Sequence, residues 1–178
     1  MKNSRWKLIR IAGFESDSIV DGPGLRFTLF VQGCPHHCAK CHNPETHDFT
    51  AGHFISIEEI LQMIDKNSIL DGVTFSGGEP ICQAAELLPL AQEIKKRKLH
   101  LTVFTGFIFE KLLEKAKEDS ALKELLALTD LLVDGPFIFA QKSLELKYRG
   151  STNQRLIDLP KTLATNEIHL WKSKFDDL

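Results

Sequence analysis

Three cysteines fall within eight consecutive residues, Cys34-Pro35-His36-His37-Cys38-Ala39-Lys40-Cys41, and an alternating apolar run, Leu25 to Val31, leads directly into them. Such a run reads as a strand, so the thiols belong to a loop at a strand's C-terminal end. A cubane [4Fe-4S] cluster offers four irons and needs one ligand on each. A C-x3-C-x2-C loop can hold three of them and leave the fourth open to an outside molecule, which is what a cluster needs if it is to act on a substrate. Zinc is the competing ligand set, because His36, His37, His42 and His47 lie close by. Structural zinc sites more often pair C-x2-C with a distant second pair. A disulfide framework fits poorly: the chain has only four cysteines, three are crowded together, and nothing before them reads as a secretory leader. Cys82 lies far downstream and reads as a small, semi-buried residue.

A second feature stands one β-α unit later. Val73-Thr74-Phe75-Ser76 reads as a short buried strand that ends in Gly77-Gly78-Glu79-Pro80 ahead of a helical stretch. Two glycines at a strand tip let a ligand approach the backbone. Glu79 can pair with an ammonium group, and Pro80 loses no N–H at a helix start. Alone the tetrapeptide is an ordinary strand-to-helix turn. With the cysteine loop it is a much stronger signal.

Along the chain strands and helices alternate. Trp6 to Phe14 and Leu25 to Val31 read as strands separated by the Asp21-Gly22-Pro23-Gly24 turn. Ser56 and Glu59 form a capping box ahead of the stripe Ile57, Ile60, Leu61 and Ile64. Gln83 to Lys98 reads as a helix kinked or split at Pro89. Leu99 to Thr105 is a strand, Phe109 to Leu128 one or two helices, Leu131 to Val133 a buried strand ending at Asp134, and Asn166 to Leu170 a last short strand. Alternation of this kind implies an α/β fold on a parallel sheet, with ligand sites at the strands' C-terminal ends. A closed eight-stranded barrel takes roughly 250 residues. This chain has 178, so the expectation is one domain, 1–178, folded as an open partial (β/α) barrel of about five to six β-α steps. The missing wall would leave a mouth wide enough for a loop of a macromolecular substrate.

Composition restricts the partners. A net charge of −2 gives no polyelectrolyte signature, so nucleic acid is not expected. No apolar run approaches the length of a membrane span. Reduced, metal-competent thiols point to the cytoplasm, and an exposed iron points to low-oxygen conditions.

With these residues in place, the chain resembles the radical S-adenosylmethionine enzymes, in which the open iron of a C-x3-C-x2-C cluster is chelated by S-adenosylmethionine. The resemblance implies Cys34, Cys38 and Cys41 as cluster ligands, Gly77, Gly78 and Glu79 as the contact for the methionyl amino group, and Lys40 and His42 against the adenosyl part. Many members carry an aromatic residue where this chain has Lys40. Asp21-Gly22-Pro23-Gly24-Leu25-Arg26, Gln32-Gly33-Cys34 and Cys41-His42-Asn43-Pro44-Glu45-Thr46 resemble the glycyl-radical-enzyme activases. Val133-Asp134-Gly135-Pro136-Phe137 and Tyr148 to Arg155 resemble the branch acting on anaerobic ribonucleoside-triphosphate reductase. The pyruvate formate-lyase activases have a D-x-K-type segment at Asp134-Gly135-Pro136. The resemblance thus implies one [4Fe-4S] cluster and S-adenosylmethionine as cofactors, the reductase large subunit as protein substrate, and a low-potential donor such as flavodoxin or ferredoxin. The activity implied is electron transfer to the sulfonium, release of methionine, and abstraction of hydrogen from a backbone glycine by the 5′-deoxyadenosyl radical. Alternatives are another glycyl-radical-enzyme activase, a small-molecule enzyme of the superfamily such as a deazaguanine-forming synthase, or a zinc-binding interaction module.

Other residues have plainer readings. Lys95 to Lys98 reads as a solvated helix end or a docking patch. His100 reads as a partly buried histidine. Asp21 is a turn former or a contact for the substrate loop. Asp134 is a turn cap or a contact for ribose or a cation.

Overall fold

The computed structural model describes residues 8–172. The start of the expected first strand, at Trp6, lies outside them; within them β1 runs Leu8–Ser18 and turns at Asp21–Gly24 into β2, Arg26–Val31. After the cysteine loop come β3, His53–Ser56, and α1, Ile57–Lys66, which opens on the expected capping box: the Ser56 side chain accepts from the Glu59 N–H, and the Glu59 side chain accepts from the Ser56 N–H. Then follow β4, Gly72–Gly77; α2, Ala84–Lys96; β5, His100–Phe104; α3, Phe109–Lys115; α4, Ser120–Leu128; β6, Leu131–Asp134; β7, Arg155–Asp158; and α5, Leu159–Thr165. Among the described residues no helix is long and apolar enough to cross a membrane.

The strands form one open sheet in the order β3-β1-β2-β4-β5-β6-β7. From β2 to β6 the strands are parallel and each joins on the same side of the last. Right-handed crossovers wound in one direction place their helices on one face of a sheet, and the sequence matches that division. Phe27, Leu29, Val31, Val73, Phe75, Leu101 and Val103 form one core with Ile60, Ile64, Leu87, Leu90, Ile94, Leu112 and Leu125 of the helices. Residues of the opposite parity are more polar. Thr28, Thr74 and Thr102 stand side by side in register across three strands. Phe30, Ser76 and Phe104 line a cavity on that face.

Three details depart from expectation. The edges are antiparallel, β1 against β2 and β3, and β7 against β6, because short turns and a returning loop, not crossover helices, deliver these strands. The helix is not split at Pro89 but runs as one piece, Ala84–Lys96. Burial of Leu87, Leu90, Ala91 and Ile94 around the proline offsets its cost. The last strand is Arg155–Asp158, whereas the 166–170 stretch supplies only an isolated bridge, Ile157 to Leu170.

Candidate metal centre and ligand cavity

The cysteine loop is closed at its base by backbone. Past Val31 the chain continues through Gln32, whose buried amide donates to the carbonyls of Glu45 and Asp48 at 2.9 and 2.8 Å. Gly33 N–H donates to Thr46 O at 2.8 Å, and Cys34 N–H to His47 O at 3.2 Å, so the segment leaving the loop lies against the segment entering it. Between them the chain must wind tightly. Cys41 N–H returns to Cys38 O at 3.1 Å, and His37 and Lys40 take left-handed conformations, φ 46° and 54°. Non-glycine residues adopt that region at a cost, and such strain gathers at functional sites.

The neighbouring strand tip grips this base. Gly78 N–H donates to Val31 O and Glu79 N–H to Gly33 O, both at 2.8 Å. The two glycines are required by this grip. Gly77 has φ +88°, and a Cβ there would come within 2.6 Å of Phe30 Cα; a Cβ on Gly78 would collide with the Gly33 carbonyl oxygen. Their first function is thus close approach of two backbones.

Cys34, Cys38 and Cys41 all line one cavity of about 520 Å3 that Gly77, Gly78, Thr105, Gly106 and Gly135 also border. All three thiols are free. Burial pushes the Cys34 thiol up, with the neighbouring Glu79, Cys38 and Cys41 adding to the shift. A metal that displaces the proton relieves that cost. Asn43 N–H points at Cys41 Sγ, 3.4 Å away, a donor of the kind that tunes cluster sulfurs. Among the described residues no three His, Cys, Asp or Glu side chains converge on one point. Thiols arranged around a cubane bind different irons and need not converge on one point. The cavity also has room for a polar ligand and polar residues in its wall. Nε2 of His47 and Nε of Arg149 are buried without a hydrogen-bond partner, and both residues line it.

Of the other expected site residues, His42 borders the cavity, its ring 4.8 Å from that of Phe137. Lys40 is exposed and turned away, its ammonium 3.9 Å from the Phe139 ring centroid. Asp134 is buried but closed off: it accepts from Phe109 N–H at 2.7 Å and pairs with Arg155, which also bridges to Glu110 and holds that carboxyl down to about 2. Asp134 is therefore a cap and an ion-pair partner, and its neighbour Gly135 is the residue that meets the cavity. Glu79 is fully buried. One oxygen accepts from Ile81 N–H at 3.0 Å; the other accepts from Gly106 N–H at 2.8 Å and lies 2.6 Å from His36 Nε2. An ammonium contact by Glu79 finds no support in that arrangement. Asp21 accepts from Ser18 Oγ at 2.6 Å, as a turn former does, and it borders the cavity. Cys82 is exposed and outside the cavity. Asn43, His47, Tyr148, Arg149 and Gln154 border the cavity too; the sequence offered His47 only as a possible zinc ligand and the others only within segments that resemble the activases. Their signal was present in the polar Tyr148–Arg155 stretch and in the residues just after Cys41, but only the fold brings the two together.

The chain is similar to several known proteins. Residues 20–157 match the family described as 4Fe-4S single cluster domain. The pyruvate formate-lyase 1-activating enzyme of Escherichia coli K12 is 34% identical over 170 residues, 91% of this chain; the match spans 65% of that enzyme's length. The anaerobic ribonucleoside-triphosphate reductase-activating protein of Haemophilus influenzae is 33% identical over 146 residues, 76% of this chain and 89% of that protein. Among solved structures, QueE from Escherichia coli aligns with TM-score 0.45 at 20% identity, over 60% of this chain and 57% of its own.

Proposed function

This chain belongs to the 4Fe-4S single cluster domain family and to the glycyl-radical-enzyme activases of the radical S-adenosylmethionine superfamily, and from that premise we propose that it activates anaerobic ribonucleoside-triphosphate reductase by cleaving S-adenosylmethionine and generating a glycyl radical on it. The observation that carries the proposal is the placing of three free thiols, the Gly77-Gly78 tip and two unpartnered polar atoms around one cavity. Cys34, Cys38 and Cys41 would hold the cluster, which when bound supplies the electron that splits the sulfonium. The chain's own residues orient the ligand and keep water from it. Gly77 and Gly78 present backbone to the methionyl end, Arg149 and His47 supply donors to its polar groups, and Phe30, Phe104 and Phe137 form apolar wall. The side of the sheet without helices lets a polypeptide loop enter past Asp21 and Val20. A low-potential flavodoxin or ferredoxin would reduce the centre, and a thiol-ligated cluster is suited to the reducing cytoplasm.

The reductase is favoured as partner by the match over 89% of the Haemophilus protein, and because Gly135, Phe137 and Arg149, in the segments that resemble that branch, border the cavity. Anaerobic incubation of cluster-loaded protein with reductant, S-adenosylmethionine and reductase should give a glycyl doublet in the electron paramagnetic resonance spectrum of the reductase, with release of 5′-deoxyadenosine. A doublet on pyruvate formate-lyase instead would reassign the partner. A doublet on neither would reject both partners and put a small-molecule substrate ahead.

A further inference from the structure

We propose that His36 is a positioning residue for the cluster, fastening the middle of the cysteine loop to the tips of β4 and β5 through Glu79. The proposal rests on Cys34, Cys38 and Cys41 being the cluster ligands, since His36 stands two residues from both Cys34 and Cys38. Its Nε2 lies 2.6 Å from Glu79 Oε2, with side-chain exposures of 16% and 0%, so water competes little for the bond. The same oxygen accepts from Gly106 N–H at 2.8 Å, just beyond the end of β5. The Phe107 ring meets the imidazole edge-on with centroids 4.6 Å apart. The fit is close, for a Cβ added to Gly106 would lie 2.6 Å from His36 Nε2.

One buried carboxyl thus joins three segments that are distant in sequence: the cysteine loop, the GGEP turn and the turn after β5. The hydrogen bonds of Gln32, Gly33 and Cys34 to the segment after Cys41 fix the loop at its base. The arch between Cys34 and Cys38 has His36 as its side-chain anchor to the sheet. Fixing that ring fixes the directions from which Cys34 and Cys38 present sulfur. Glu79 accordingly acts on the cluster's ligands, and the Gly77-Gly78 backbone is left to meet the small molecule.

The test compares wild type with His36→Leu, His36→Gln and Gly106→Ala, each loaded anaerobically. Iron release to a chelator and the spectrum of the reduced cluster are measured without substrate. Glutamine carries an amide nitrogen at nearly the reach of Nε2 and should keep the bond. Removing a bond to a buried carboxyl should speed iron loss about tenfold or more and alter the cluster's g-values in His36→Leu. Gly106→Ala should do the same by displacing the ring, and His36→Gln should stay within about threefold of wild type. If His36→Leu does not fold, Gly106→Ala and His36→Gln still decide. Wild-type release and g-values in Gly106→Ala, or no rescue by His36→Gln, would overturn the proposal. Wild type that takes up no iron would instead overturn the cluster assignment beneath it.

Discussion

The two ends of the parallel strands are built from similar polar material and put it to opposite uses. At the N-terminal ends Arg26 is fully buried, and protein groups take up its donors: Nε meets Thr74 Oγ1 at 2.6 Å, and the terminal nitrogens meet the carbonyls of Pro23, Val73 and His100 at 2.8, 2.6 and 3.0 Å. Burial draws its guanidinium down to about 10, against the opposing pull of Asp130, Asp71 and Asp21, so it remains charged at neutral pH. Thr74 passes the link on to Asp21 O at 2.7 Å, sealing the Asp21–Gly24 turn onto β4. At the C-terminal ends, by contrast, three cysteines free of disulfides line a cavity together with His47 and Arg149, whose Nε2 and Nε are buried without a hydrogen-bond partner. Polar groups satisfied within the chain stabilise it. Those left unsatisfied are available for a ligand, at the expense of stability.

That contrast is open to attack from either end. The largest effect belongs to the open end: replacing Cys34, Cys38 or Cys41 with alanine should abolish stable iron binding, whereas Cys82→Ala should load like wild type. Iron and sulfide analysis with the visible spectrum checks this, and the melting temperature of the cluster-free protein should hardly move. At the closed end, Arg26→Met strands several carbonyls and should cost about 3–5 kcal/mol in denaturant unfolding. Protein that remains folded should still load iron normally. Iron loss with unchanged stability would dissolve the distinction between the two ends.

Gly77→Ala should cost about 1–3 kcal/mol even without cluster or ligand, because its Cβ meets the Phe30 backbone. Unfolding curves of the cluster-free protein would show it; a defect seen only in S-adenosylmethionine binding would assign the glycine to the ligand instead. The smallest effect is at His100, which burial, assisted by Arg26, draws down from 6.5 to about 4. Between those pH values the unfolded chain takes up the proton and the folded one does not, so stability falls with acid across that window, by up to about 2 kcal/mol. His100→Gln should flatten the slope of denaturant midpoint against pH in the cluster-free protein.

What the sequence disclosed was what it encodes locally. The cysteine spacing, the capping box at Ser56 and Glu59, the β4 strand and the GGEP turn each signal within a few residues, and each is found in place. β7 was not legible because Arg155-Leu156-Ile157-Asp158 is short and follows a polar stretch; its pairing comes from β6 and from the Arg155–Asp134 ion pair. The contacts of Glu79 within the fold were not legible for the same reason. Its partner His36 stands 43 residues earlier, and only the folded sheet brings them within reach. Lys40 adjoins the third cysteine in sequence, but its side chain lies over Phe139 and not in the cavity.

The claim beneath all of this is that three thiolates leave one iron free for S-adenosylmethionine. The most direct test is the electron paramagnetic resonance spectrum of the reduced, anaerobically loaded protein before and after S-adenosylmethionine is added. Coordination to the open iron should shift the g-values in wild type and in Cys82→Ala alike. An identical spectrum with and without S-adenosylmethionine, in protein carrying a full complement of iron, would contradict it.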